Sequence, residues 1–544
     1  MNRRISKTPD FCEQEKKLFE LKMGIMQPVP DHLIDKLDEI WEIRKNEILN
    51  TESEWELGEG GRVFYVSASE GDDSNKGTCE KCAFATIQKL HEAQKDGTVK
   101  AGDVVLFKRG DEWHQGLVAL PGVTYSAYGV GDKPRILGSI EADRPDQWQT
   151  TDVPNLYVFC DDVPKERDVG NIVFNEGECY GARIIKADGE DRTMNVGDTG
   201  LHSNGIKKWE FPIRPFTGYR DLGAIGDEIP DADLFYYHDR ENSKLYLYSR
   251  AGNPGERFDS VELCAKGHGI VAYSDNTIDN LCIKYAGSHG VSAGSCKNLT
   301  VRNCEVGWIG GAVQGDAVRV RFGNSVEIYG KADGYYVYNN YMYQAFDCGP
   351  TAQWGGSLDQ GKKHVSRDIY FFDNVIREAS LEVWYSTRSE MTDDTYFKLI
   401  NCHIFHNLVT GSGTGFKAYN HTTNAEWCTF YGAGATNVPY IDCTMDHNYF
   451  WGNRRHLIKS VPSSMKKYNG FKWENNVIIH PKDEGSIGIL GEELDPPRGE
   501  KLYYYTEDTL NKLLDTAAFG FNYFYYTPGK IENQRRWGQP HEKL

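Results

Sequence analysis

Between Thr277 and His480 the apolar and polar positions keep a fixed phase. The frame is apolar, any residue, Asn, Asp or His, a polar or small residue, any residue, apolar. It runs from Ile278 to Ile283, Val301 to Val306, Val337 to Met342, Phe371 to Ile376, Leu399 to Ile404, Met445 to Phe450 and Trp473 to Ile478. Its third residues are Asn280, Asn303, Asn339, Asp373, Asn401, His447 and Asn475. Apolar positions two apart predict a short strand on each side, and the polar centre predicts a bend between them. A constant motif at variable spacing predicts one structural unit per repeat, with insertions in the loops. Units stacked in one direction form a solenoid of parallel sheets, whose corner asparagines bond from rung to rung. An ordinary sandwich with Asn-rich turns is the alternative.

Outside the repeats the pattern changes several times. Residues 1–60 read as helical, with Leu33, Leu37, Ile40, Trp41 and Ile48 on one face and Arg44 interrupting it. Such a face serves a partner or the protein's own body, and docking on the body is the expectation. Residues 61–140 begin with a strand and an acidic, Gly-rich loop. An amphipathic helix ended by Gly97 follows, then strands divided by Gly and Pro turns. Residues 141–260 are rich in Trp, Tyr and Asp and alternate like half-buried strands, which predicts a β-rich insertion. Its Trp148, Trp209, Tyr236 and Tyr237 could stack on sugars, but packing is the expected role. The main repeats occupy 261–490, and 491–544 reads as a C-terminal cap.

Composition narrows the function. A net charge of −18 argues against a nucleic-acid or acidic-membrane partner. No apolar run is long enough for a membrane helix, and the basic start meets acids before any apolar stretch, unlike a secretory signal. Of the 13 cysteines, Cys282, Cys304 and Cys402 lie inside the repeated frame as small buried hydrophobes, which suits a reducing cytoplasm. Cys79 and Cys82 lack a second nearby pair, so zinc or redox chemistry is not expected there.

The stretches FYVSASEGDDSNKGT, FATIQKL, AGDVVLFKRGDEWHQGL and LYLYSRAGNPGERFDSVEL, with the repeats, resemble right-handed parallel β-helix proteins of the pectate-lyase-like superfamily. The resemblance covers residues 62–490. It implies an all-β fold: a right-handed parallel β-helix solenoid with an N-terminal helical segment, a β-rich insertion and a C-terminal cap. A helix covering the open end would hide its sheet edges. The superfamily holds polysaccharide lyases, glycoside hydrolases, carbohydrate epimerases and non-catalytic binders, so the resemblance specifies fold better than reaction.

After each frame comes a second strand. These strands align on Val291, Val313, Pro350, Val383, Phe416, Ile458 and Ile487. Alternation then turns one column outward: Ser292, then Gln314 and Asp316, then Asp347, Thr351 and Gln353. Glu382 and Trp384, Lys417 and Tyr419, and Lys459 continue it. Acids, aromatics and cations on one sheet suit a carbohydrate groove better than an evenly solvated face. Asp347 and Glu382 sit one frame apart, with Cβ atoms expected ~8 Å from each other. That matches the ~6.5–9.5 Å of inverting glycosidases, with Glu382 beside Val383 and Trp384 as acid and Asp347 as base. Glu327 is a third catalytic candidate. FGNSVEIYG, YQAFDCG and LEVWYS loosely resemble acid-bearing positions of β-helix hydrolases.

The competing enzyme is an oligouronide lyase, in which Lys417, His421, Arg388 and Tyr419 would supply base and cation. Acids hold calcium in some such families, whereas the hydrolase reading needs no metal or cofactor. His268 and His289 resemble the Gly-His-Gly element of pectin-cleaving hydrolases but lack its flanking acids. The strand register turns His289 inward, so a structural role is expected for both. A non-catalytic binding scaffold, with the helical N-terminus mediating homo-oligomers, is the third reading. The expected protein is a cytoplasmic glycoside hydrolase that trims imported oligosaccharides, with Gln314, Asp316, Gln353, Trp384, Arg388, Lys417, Tyr419, His421 and Lys459 binding substrate.

Overall fold

A computed structural model describes residues 27–186, 217–228, 233–314, 317–387, 389–416, 438–453 and 471–481, with short strands at 194–196, 428–431, 456–460, 486–490, 502–504 and 522–527. The repeated frame folds as two strands around a corner: Ala332–Tyr338 and Tyr341–Ala345 flank Asn339 and Asn340. Successive strands enter different sheets. Cys282–Lys284 joins an eleven-stranded sheet, Val291–Ala293 a ten-stranded one and Cys296–Arg302 a second ten-stranded one. The chain then revisits them in the same order with Glu305–Ile309, Val326–Tyr329 and Ala332–Tyr338, each parallel to its predecessor. The protein is therefore mostly β, with three large parallel sheets. Their inward apolar residues merge into one core that runs from Phe64 to Phe524.

All seven expected corner residues hold left-handed φ values between 54° and 58°. Asn401, however, is not on the common line. Strand pairing places Val337, Phe371, Ile404, Met445 and Trp473 in one register, so His406, with φ 54°, takes the corner. The same six-residue frame also fits Ile404 to Val409, and the pairing selects that reading. Asn401 lies within the strand Tyr396–Phe405, on a second left-handed line with Asp368 and Asp442. The stacking asparagines are also one residue further on than expected. Asn340, Asn374, Asn407, Asn448, Asn476 and Asn522 form a ladder, each Nδ2 donating to the next Oδ1 at 2.8–3.1 Å. The same oxygens accept the backbone N–H of the preceding asparagine, which a sharp corner would otherwise leave unpaired.

The helix Leu33–Leu49 lays Leu33, Leu37, Trp41 and Ile48 on the eleven-stranded sheet, against Val375, Leu408, Tyr449, Trp451 and Tyr525. Arg44 interrupts the stripe because its Nη2 donates to the corner Asn339 Oδ1 at 2.7 Å. The apolar face is thus used within the chain. No described helix is long and apolar enough to cross a membrane. Cys79 and Cys82 are joined by a disulfide. The segment between the early and main repeats forms a six-stranded and a four-stranded sheet, with Trp148 and Tyr236 in its core. Trp209 lies outside the described residues. Asp168 ties this segment to the repeats: it receives Arg321 Nη1 at 2.8 and 3.0 Å and the Val313 N–H at 2.8 Å.

Candidate functional site

The ten-stranded sheet containing Val291–Ala293 brings the candidate acids together. Ser292, Glu327, Thr351 and Glu382 pair in register across four neighbouring strands. Tyr329, Gln353 and Trp384 form the next rank. Val326, Ile328, Ala352, Leu381 and Val383 belong to the inner core, so alternation turns both ranks outward. Trp384 is half-buried, and a Cβ on Gly355 would stand 2.3 Å from its ring, so only glycine leaves the indole room to lie there. Tyr329 is exposed at the other end of the rank.

Glu382 is buried and its Oε2 accepts from Thr351 Oγ1 at 3.1 Å and from the Cys348 thiol at 3.3 Å. The same thiol is 3.5 Å from Asp347 Oδ1. An oxygen of Asp347, an oxygen of Glu382 and the Cys348 sulfur all lie within 4.8 Å of one another. The regular ladder behind the ~8 Å expectation is broken here. Cys348 faces Ser380 while Thr351 faces Glu382, so one strand carries an extra residue. Both side chains then converge on the thiol between them. This closeness does not fit the inverting spacing and approaches the ~5–5.5 Å of retaining glycosidases. Thr351 and Cys348 both aim at one oxygen of Glu382, so its surroundings are more polar than its neighbours Val383 and Trp384 suggest. Two oxygens and a thiol differ from the all-oxygen shell that calcium takes.

Glu327 is buried in a polar nest. Gln353 Nε2 donates to its Oε2 at 2.9 Å, Asn324 donates to the same oxygen, and His289 Nε2 lies 3.3 Å from Oε1. The Asn324 N–H donates to His289 Nδ1 at 3.0 Å, which leaves the proton on Nε2, facing the carboxylate. The His289 N–H in turn donates to His268 Nδ1 at 3.4 Å, and the two rings stack with centroids 5.3 Å apart. Burial raises the Glu327 carboxyl above its usual range despite these donors. Burial, with the Arg167 charge nearby, pushes His289 down to about 3. Burial, His289 and Arg167 push His268 down to about 4. The inward placement of His289 is therefore corrected. The strand begins only at Val291, so its alternation does not extend back to residue 289. Its signal was present in the sequence, since Ile270 pairs with Val291 and both follow a Gly-His-Gly-like turn.

Other expected positions fare differently. Gln314 is exposed in a hairpin, Val313–Gln314 with Ala317–Arg321, and is not on the sheet. The 36-residue step from Asn303 to Asn339 has room for that hairpin, and Val326 rather than Val313 continues the register. Phe416 also leaves the sheet and packs with Tyr180, Trp308 and Phe346, while Cys428–Tyr431 pairs with Ser380–Thr387 instead. Val383 pairs with Ala352, two residues past Pro350. Ile458 pairs with Gly488 rather than Ile487. Lys459 continues the backbone rank of Glu382 through Tyr431. Asp316, Arg388, Lys417, Tyr419 and His421 lie outside the described residues.

Fold and site define an all-β protein with acids, amides and an indole gathered on one parallel sheet. No family model matches the chain. Over 97 residues it is 28% identical to a lacto-N-biosidase of Bifidobacterium longum subsp. longum, a match spanning 16% of this chain and 6% of that protein. Similar solved structures include XylC with xylose, at 13% identity and TM-score 0.43, covering 78% of this chain and 67% of that one. Another is a lacto-N-biosidase from Eubacterium ramulus, at 12% identity and TM-score 0.35, covering 91% and 70%.

Proposed function

We propose that this chain is a carbohydrate-active enzyme, a glycoside hydrolase that cleaves oligosaccharides on the outward face of the sheet bearing Glu327, Asp347 and Glu382. The three sheets are read as one right-handed parallel β-helix, the hand expected of parallel crossover connections. The observation that carries the activity is the Asp347–Glu382 pair, whose oxygens lie within 4.8 Å of each other. The short match to a lacto-N-biosidase agrees with the substrate class. Action without a metal belongs to the same reading.

Glu382, oriented by Thr351 and Cys348, attacks the anomeric carbon as a carboxylate while Asp347 protonates the leaving oxygen. Water then releases the glycosyl–enzyme ester, with Asp347 now accepting the water's proton. The narrow gap does not hold a sugar ring and a water between the two carboxyls together, so the product keeps the substrate's anomeric configuration. Trp384 offers an apolar ring on which a sugar face stacks. Glu382→Gln and Asp347→Asn should each lower turnover by at least ~100-fold, with little change in unfolding temperature. Proton NMR of the first product should show a retained anomer. An inverted product would remove the Asp347–Glu382 displacement and move one role to Glu327.

A further inference from the structure

Residues 165–170 of the inserted segment are fixed almost residue by residue. Arg240 donates to the carbonyls of Lys165 at 3.1 Å and Glu166 at 2.9 Å. Asp168 is gripped by Arg321, and the Val169 N–H donates to His238 Nδ1 at 2.9 Å. Arg167 sits in the middle of this clamp, and its guanidinium reaches the Glu327 end of the acid rank. Nη1 donates to Ser288 Oγ, and the guanidinium carbon lies 4.9 Å from the centroid of the Phe322 ring.

Arg167 is half-buried, and among the described residues it forms no ion pair, although the chain holds 79 acids against 61 basic residues. A guanidinium has five N–H donors, and Ser288 uses one of them. His268 shares Phe322 as a neighbour, with ring centroids 6.0 Å apart. Its Nδ1 accepts from the His289 backbone, so Nε2 carries a proton that meets no described acceptor. Two donor groups therefore lie beside the Phe322 ring and, Ser288 apart, meet no described acceptor.

We propose that Arg167 and His268 form a subsite for the carboxylate of an acidic sugar, on the same sheet face as the Asp347–Glu382 pair. The planar guanidinium matches a carboxylate in a two-point bond, and the imidazole N–H adds a third donor. Burial favours the neutral form of Glu327, which spares an incoming anion a repelling charge. Three to four strand spacings, ~14–19 Å, separate the strands that follow Ser288 and His268 from the Glu382 strand, so one oligosaccharide can reach both places. The location of this subsite gains its meaning from the hydrolase reading, but its binding chemistry does not depend on turnover.

The test is a glycan array probed with the Glu382→Gln protein, presenting glucuronate-, galacturonate- and sialate-terminated glycans, sulfated glycans and their neutral counterparts. Carboxylated glycans should bind about tenfold or more tightly than matched neutral ones, the scale of a charge-assisted hydrogen bond. Arg167→Met should erase that preference while neutral glycans still bind, which also reports a folded protein. Arg167→Lys, which keeps the charge but not the fork, should retain part of it. The proposal is overturned by equal binding of acidic and neutral glycans, or by a preference that survives Arg167→Met. A stronger preference for sulfated glycans would equally overturn the carboxylate assignment. Binding is read in a variant impaired in turnover, so failure of this subsite and failure of the hydrolase reading give different results.

Discussion

At the scale of residues, the most informative group is Glu327, a buried carboxyl held by His289, Asn324 and Gln353. Its raised value means that the folded state favours the protonated form. Stability from such a group is fully present below the unfolded value of about 4.3 and is lost as pH rises through the folded one. Glu327→Gln is neutral at every pH, so its unfolding temperature should gain on the parent's as pH rises from about 4 to 8. A difference that stays flat across a thermal-unfolding series would show that Glu327 is not shifted. The histidines beside it act in the opposite sense. With values depressed to about 4 and 3, His268 and His289 take up protons less readily folded than unfolded. They therefore destabilise the protein as pH falls from about 6.5 toward those values. The sequence placed Glu327 outside the main column because the hairpin 313–321 imitates the strand Val326–Tyr329 that carries it. Only chain pairing shows that Ser292 lies beside Glu327.

At the scale of elements, the asparagine ladder fixes the spacing of the corners. Asn407 is fully buried, donating to Phe371 O and Asn448 Oδ1 while receiving the Asn374 N–H and Nδ2. Asn407→Ala orphans several of these groups, at about 1–3 kcal/mol each, and should lower the midpoint of urea unfolding accordingly. An unchanged midpoint would mean the ladder is redundant. The bend was legible in the sequence because polar residues recur in phase, and its left-handed backbone is a conformation that asparagine tolerates. Which of two adjacent asparagines stacks was not legible, since both positions are polar and only one turns inward. Asn401 misled for a related reason: two overlapping frames fit residues 399–409, and pairing with Phe371 decides for Ile404. The helix Leu33–Leu49 was readable from its stripe, and Arg44 made sense only once its corner partner Asn339 was in view.

At the scale of the whole molecule, the inserted segment is bound to the repeats by a buried ion pair. Burial alone would raise Asp168, yet the charges of Arg321 and Arg183 outweigh it and hold the carboxyl below its usual value. Arg321→Met leaves that carboxylate buried without its partner and should cost about 3–5 kcal/mol. Adding Asp168→Asn to it should recover part of the loss, whereas a double variant as unstable as the sum would deny the coupling. Nothing in the local sequence joined Asp168 to Arg321, which are 153 residues apart. The insertion's part in the site, Arg167 included, was hidden for the same reason. Hydrolysis of glycosidic bonds on the acid-lined sheet is tested by a defined oligosaccharide panel, digested and weighed by mass spectrometry. The products' summed mass should exceed the substrate by one water, and those products should be lost in Glu382→Gln. Unsaturated products whose masses sum to the substrate alone would contradict it and establish elimination instead.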